Sequence, residues 1–127
     1  MKWVVYFFIL VFPFISYSQT YNSPYTQHFP SGIIEEINRT ITIQESEVHI
    51  ATETPEGKDI HTLKIQEVTS ELTEGSAGKD LIIKCVSKDG KFPTTIRIPY
   101  QNKIEIIDVI EPSPDGEGER YYRFLVD

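Results

Sequence analysis

From Thr40 onward, apolar and polar residues alternate with a period of two, and turn residues interrupt the alternation at short intervals. Thr40–Gln44 sets Ile41 and Ile43 on one face, Glu45-Ser46 turns the chain, and Glu47–Glu53 returns with Val48 and Ile50 together. Pro55-Glu56-Gly57-Lys58 is the next turn, because proline presets one dihedral and glycine tolerates another that side chains resist. Asp59–Val68 then carries His61, Leu63 and Ile65 on one face, with Ile60, Thr62 and Lys64 on the other. A glycine-containing loop, Glu74–Gly78, leads into Lys79–Ser87, which is apolar on both faces as a central strand would be. Asp89-Gly90 predicts a type I′ hairpin turn into Phe92–Tyr100, whose Pro93 and Pro99 fall near the strand ends. Gln101-Asn102 precedes Lys103–Glu111, and the loop Pro112–Gly118 precedes Glu119–Val126. In that last strand Tyr122 and Phe124 share a face and are expected to close the core against Ile104 and Ile106, leaving Arg123 outward. The pattern predicts an all-β fold, an antiparallel meander of about seven strands forming a half-barrel, a small barrel or a sandwich.

Upstream the pattern fades. Ile33–Ile37 is too short to separate a helical turn from a first strand. Thr20–Pro30, rich in Tyr, Asn, Ser, Pro and Gln, shows no apolar period, so residues 19–32 read as an extended or disordered leader to a single domain over 33–127.

The even run of hairpins from Asn38 to Asp127 resembles small bacterial secreted β-meander proteins of the lipocalin-like type. The resemblance rests on strand rhythm; there is no Gly-x-Trp near its start, and the only tryptophan is Trp3.

The first eighteen residues carry an address. Lys2 provides a positive start and Trp3–Ile15 an apolar stretch without a charge. As a helix that stretch spans roughly 20 Å, short of the ~30 Å core of a bilayer. Ser16-Tyr17-Ser18 places small residues where a signal peptidase reads them, so cleavage is expected between Ser18 and Gln19. The mature chain would then be periplasmic or extracellular, with no membrane span and no N-terminal cysteine to carry a lipid.

Charge narrows the partners. Losing Lys2 leaves eleven basic residues against nineteen acidic ones, a net charge of −8, which disfavours nucleic acid and anionic membranes. The remaining chain of about 109 residues suits one domain that folds without disulfides. A lone cysteine, Cys85, lies in an apolar strand and reads as a buried thiol.

Candidate chemistry is sparse. Cys85 with His49 or His61 as base would make a thiolate nucleophile, but a mid-strand thiol lacks the exposed, electropositive setting this requires. His49 and His61 come opposite or nearly opposite across the Pro55–Gly57 turn, which makes a two-histidine metal site conceivable with Glu47 and Glu53. Asp115, Glu117 and Glu119 alternate like the opening of a calcium loop, yet Val126 stands where the bidentate glutamate belongs. Both sets are weak beside the ordinary reading of sheet histidines and solvated turn acids. Asn38-Arg39-Thr40 matches a glycosylation sequon, and Tyr21, Tyr25, Tyr121 and Tyr122 could stack on a sugar or peptide or simply pair across strands. No acid, base and nucleophile converge, so no enzyme activity and no cofactor are expected. The leading function is a secreted binding or interaction module for a small apolar ligand or a protein partner; a structural or envelope-associated protein acting by strand pairing comes second, and an enzyme third.

One outcome is directly measurable. The intact mass of the exported protein should correspond to a chain beginning at Gln19; full-length chain recovered with membranes would contradict the cleavage.

Overall fold

In the computed structural model, which describes residues 18–72, 77–101, 103–113 and 117–127, every regular element is a strand. They are β1 (Gln19–Phe29), β2 (Ile34–Ile43), β3 (Glu47–Thr54), β4 (Gly57–Leu72), β5 (Lys79–Ser87), β6 (Pro93–Ile98), β7 (Ile106–Pro112) and β8 (Glu119–Leu125). Each pairs antiparallel with the next, and β1 pairs with β8, so the meander closes into an eight-stranded barrel compatible with a lipocalin-like fold.

Closure depends on the segment expected to be a leader. Gln19–Phe29 hydrogen-bonds to β2 on one side and to β8 on the other, with Thr26 opposite Phe124 and His28 opposite Tyr122. Its pattern hid it because the register shifts at Pro24, which faces two residues of β2, Ile37 and Asn38, and the inward positions change phase between Ser23 and Tyr25. The two residues buried on this strand are Ser23 and Thr26, both polar. Ile34–Ile37 belongs to β2 and is a strand rather than a helical turn.

Within the barrel the inward row is apolar along much of its length. Ile41, Val48, Ile50, Leu63, Ile83, Cys85, Ile96, Ile98, Ile107, Val109 and Phe124 form one buried cluster. Eight strands enclose a space that side chains can just fill, and here branched aliphatics fill it. Phe124 stands opposite Ile107, and Tyr122 opposite Val109. The expected partners Ile104 and Ile106 are therefore off: Ile106 shares the outward register of Leu125, while Ile104 precedes β7 and packs at the core's edge.

Two further expectations change. No residue other than glycine has positive φ among the described residues, so Asp89-Gly90 is not a type I′ turn. Instead Gly90 alone takes φ 78° and its N–H donates to Ser87 O at 2.8 Å, giving a longer hairpin loop in which one left-handed residue suffices. Asp89 holds that loop by accepting from Ser87 Oγ and Lys91 N. β4 also outruns its expected end, reaching Leu72 after a bulge between Ile65 and Glu67.

The outer wall contains a buried carboxylate. Asp108 faces outward on β7 yet is 1% exposed. Arg123 donates to it from Nε at 2.7 Å and Tyr121 OH at 2.9 Å, while Phe29 lies 4.7 Å from the Tyr121 ring and beneath the Arg123 guanidinium. Arg123 is thus not the free outward residue the alternation implied. Its pKa is raised, first by the hydrogen bond to Asp108.

Phe124→Ala should destabilise the barrel by about 3–5 kcal/mol through the cavity it leaves. Arg123→Ala should cost about 1–3 kcal/mol, because it strands the Asp108 carboxylate out of water. The Arg123→Ala cost should largely vanish in an Asp108→Asn background. Urea denaturation of the four variants checks this, and a costless Arg123→Ala would refute the buried-pair account.

Candidate functional site

One end of the barrel replaces the apolar lining with polar side chains. It is the end reached by late β1, the β3–β4 turn, the β5–β6 loop and the start of β8. Counting inward positions from the core leads there: Thr26 and His28 on β1, Arg39 two residues before Ile41 on β2, Thr52 on β3, His61 on β4, Thr94 on β6, Glu111 on β7, Arg120 and Tyr122 on β8.

Arg39 is the centre of this arrangement. Its Nε donates to Thr52 Oγ1 at 3.1 Å, its Nη1 donates to Thr26 Oγ1, and its guanidinium lies 5.1 Å over the Phe124 ring. Burial lowers its pKa from the usual arginine value, with Tyr122 and Glu35 acting in the opposite sense. It stays charged at neutral pH all the same. No carboxylate lies within 4 Å of it among the described residues.

The other ionisable groups at this end contact one another. His28 Nε2 lies 2.6 Å from Glu35 Oε1, a close contact without hydrogen-bond alignment. Glu111 accepts from Arg120 and, at 3.2 Å, from Tyr122 OH. Burial first, then Glu111, holds the Tyr122 phenol well above the usual range, so it remains a proton donor.

Two clefts open beside the Arg120–Glu111 pair. One, of about 260 Å³, is lined by Thr26, His28, Phe29, Arg39, Tyr121 and Tyr122. Its neighbour, of about 240 Å³, is more apolar and lies among His61, Ser87, Phe92, Thr94, Pro112 and Ser113. Arg120 and Glu111 border both. The comparisons with known proteins return no match, neither to a family model, nor to a curated protein, nor to a solved structure. Any functional reading of this chain therefore rests on its own geometry.

That geometry separates the residues the sequence brought together. His49 stands opposite Thr62 and His61 opposite Ile50, so the two imidazoles point to opposite faces of the sheet. His49 lies against Thr62 Oγ1 and Glu47 on the outer wall, whereas His61 sits at the polar end. Among the described residues, no group of three or more His, Cys, Asp or Glu is placed to hold a metal. Asp115 lies outside the described residues, and Glu117 and Glu119 are exposed. Ser18 is exposed, and Gln19 is the first residue of β1; residues 1–17 lie outside the described set. Asn38 is exposed, and Tyr25 is exposed, while Tyr21 and Tyr122 pack on the core and Tyr121 stacks on Phe29.

Arg39 escaped the sequence reading because it sits in a polar run, Glu35-Glu36-Ile37-Asn38-Arg39-Thr40. The signal was present: a residue two before Ile41 must share its inward face.

Cys85 is buried at 1% exposure, its thiol directed at the Ile83 carbonyl. Burial pushes its pKa up to about 11, the reverse of what a nucleophile needs. Because the folded state holds the proton longer than the unfolded chain, stability should fall as pH rises from about 9 to about 11. Iodoacetamide should leave the native thiol unmodified at neutral pH and label it in urea; fast native labelling would refute its burial.

Proposed function

We propose that this protein is a secreted, non-enzymatic binding module that takes its ligand at the polar end of the barrel. The observation that carries the reading is the pair of clefts at that end, one polar and one more apolar, on either side of the Arg120–Glu111 pair. Packed side chains occupy the barrel interior, so a ligand would sit in the mouth rather than deep in a calyx. A small molecule with an apolar body and a polar head suits two such neighbours. The lipocalin-like resemblance favours the same end-on mode of binding, and the N-terminal signal supports export.

A specific feature favours a second reading, in which the protein acts by strand pairing. Among the described residues, closure leaves no strand unpaired along its whole length. Yet the β3 ladder stops at Lys64, and beyond Ile65 the remainder of β4 pairs only with β5 among the described residues. That free side carries Val68 and Leu72, 53% and 70% exposed, as a template another strand could extend.

A fragment library screened by amide chemical-shift mapping tests the first reading. Binders should perturb Thr26, His28, Thr94 and Tyr122, and a screen whose binders all map elsewhere would sink it. Sedimentation velocity addresses the second: strand pairing requires a concentration-dependent dimer that Val68→Lys abolishes, whereas the binding module is expected to run as a monomer.

A further inference from the structure

We propose that the polar end binds a small organic carboxylate, with Arg39 as its anchoring cation. This rests on the reading of that end as a ligand surface and names the class of ligand.

Glu111 is committed to both Arg120 and Tyr122, whereas Glu35 contacts His28, which is charged only when protonated, and acts on Arg39 through space. Arg39 is left as the positive group without a contacting carboxylate among the described residues. A guanidinium removed from water in this way gains from an anion that replaces its lost solvation.

Arg39 is also fixed in orientation. Thr52 holds Nε, Thr26 holds Nη1, and the Phe124 ring supports the guanidinium plane. Its Nη2 has no protein partner among the described residues, and Arg39 lines the cleft. A planar fork held by two hydroxyls is prearranged for a planar acceptor, which favours a carboxylate over a spherical ion. Phe29, Tyr121 and Tyr122 on the same cleft offer flat apolar surface to the rest of the molecule. At about 260 Å³ the cleft falls just below the usual range of small-molecule pockets, so the ligand is compact, an aryl or short alkyl acid, and not a long-chain lipid.

The probe pair is benzoate and its neutral isostere benzamide, titrated into the folded wild-type protein and followed by amide chemical shifts. Benzoate should perturb Thr26, His28 and Thr52 and bind about tenfold or more tightly than benzamide, since it alone brings a compensating negative charge and two acceptor oxygens to the guanidinium fork. Arg39→Met, of similar length and apolar, should keep a folded spectrum and lose benzoate binding by at least the same factor. Lys84→Gln, which removes an exposed cation from the outer wall of β5 away from this end, should change it by less than about threefold. Equal binding of the two probes, or undiminished benzoate binding by folded Arg39→Met, would overturn the proposal, as would inorganic phosphate matching benzoate. Comparison of the two probes on wild type remains decisive even if the Met variant fails to fold. Amides or amines that bind at this end while benzoate does not would overturn the carboxylate and leave the binding surface standing; no binder at this end would remove both.

Discussion

Everything in this molecule follows from the pairing of β1 with β8. Without it the meander is an open sheet with two full edges and one apolar face to cover. With it, Thr26 comes opposite Phe124 and His28 opposite Tyr122, and the inward rows of eight strands converge on a single space. That space is small enough for Ile, Val, Leu and Phe side chains to fill. Because closure uses up the interior, the places left for a ligand are the ends.

The two ends are not equivalent. Toward the first residues of β1, the inward positions are Tyr21, Ile43, Ile65, Leu81, Ile104 and Val126, which extend the core outward. Toward the other end, hydrogen bonds replace apolar contact: Thr26 and Thr52 with Arg39, Tyr122 and Arg120 with Glu111. Burying a guanidinium costs more than any single neutral hydrogen bond returns. A packing role alone would be met more cheaply by a leucine, which makes Arg39 the residue whose presence most needs a functional reason.

Much of the fold was legible, and what was missed shares one physical cause. From Thr40 to Val126 the alternation located the strands, because a two-residue period survives wherever the inward row is apolar. Core positions such as Ile41, Val48, Leu63, Cys85 and Phe124 were all apparent from it. It failed where the inward row is polar. β1 presents Ser23, Thr26 and His28 inward across a bulge, so its pattern matched that of a linker. Arg39 failed for the same reason, and Asp108 for its converse, since an outward carboxylate gave no hint that Arg123, Tyr121 and Phe29 would cover it. The candidate histidines were near enough in register to pair, but a slip of one residue in the β3–β4 ladder reverses a side chain's face.

The acidity of the whole chain bears on how an anion would reach Arg39. A net charge of −7 repels anions at long range, yet at physiological ionic strength that field decays over about 8 Å. A guanidinium in a partly desolvated cleft acts at contact, where the effective dielectric is far below that of water and screening is weak. Long-range repulsion therefore lowers the rate of encounter, while the local pair governs how long the complex lasts. The same reasoning sets the selectivity. A multiply charged anion meets more of the global repulsion and must also approach Glu35 and Glu111, whereas a monocarboxylate with an apolar body presents one charge to Arg39 and turns its uncharged side toward Phe29, Tyr121 and Tyr122. In a protein of this charge, an oriented arginine without a contacting carboxylate favours compact monoanions and discriminates against polyanions.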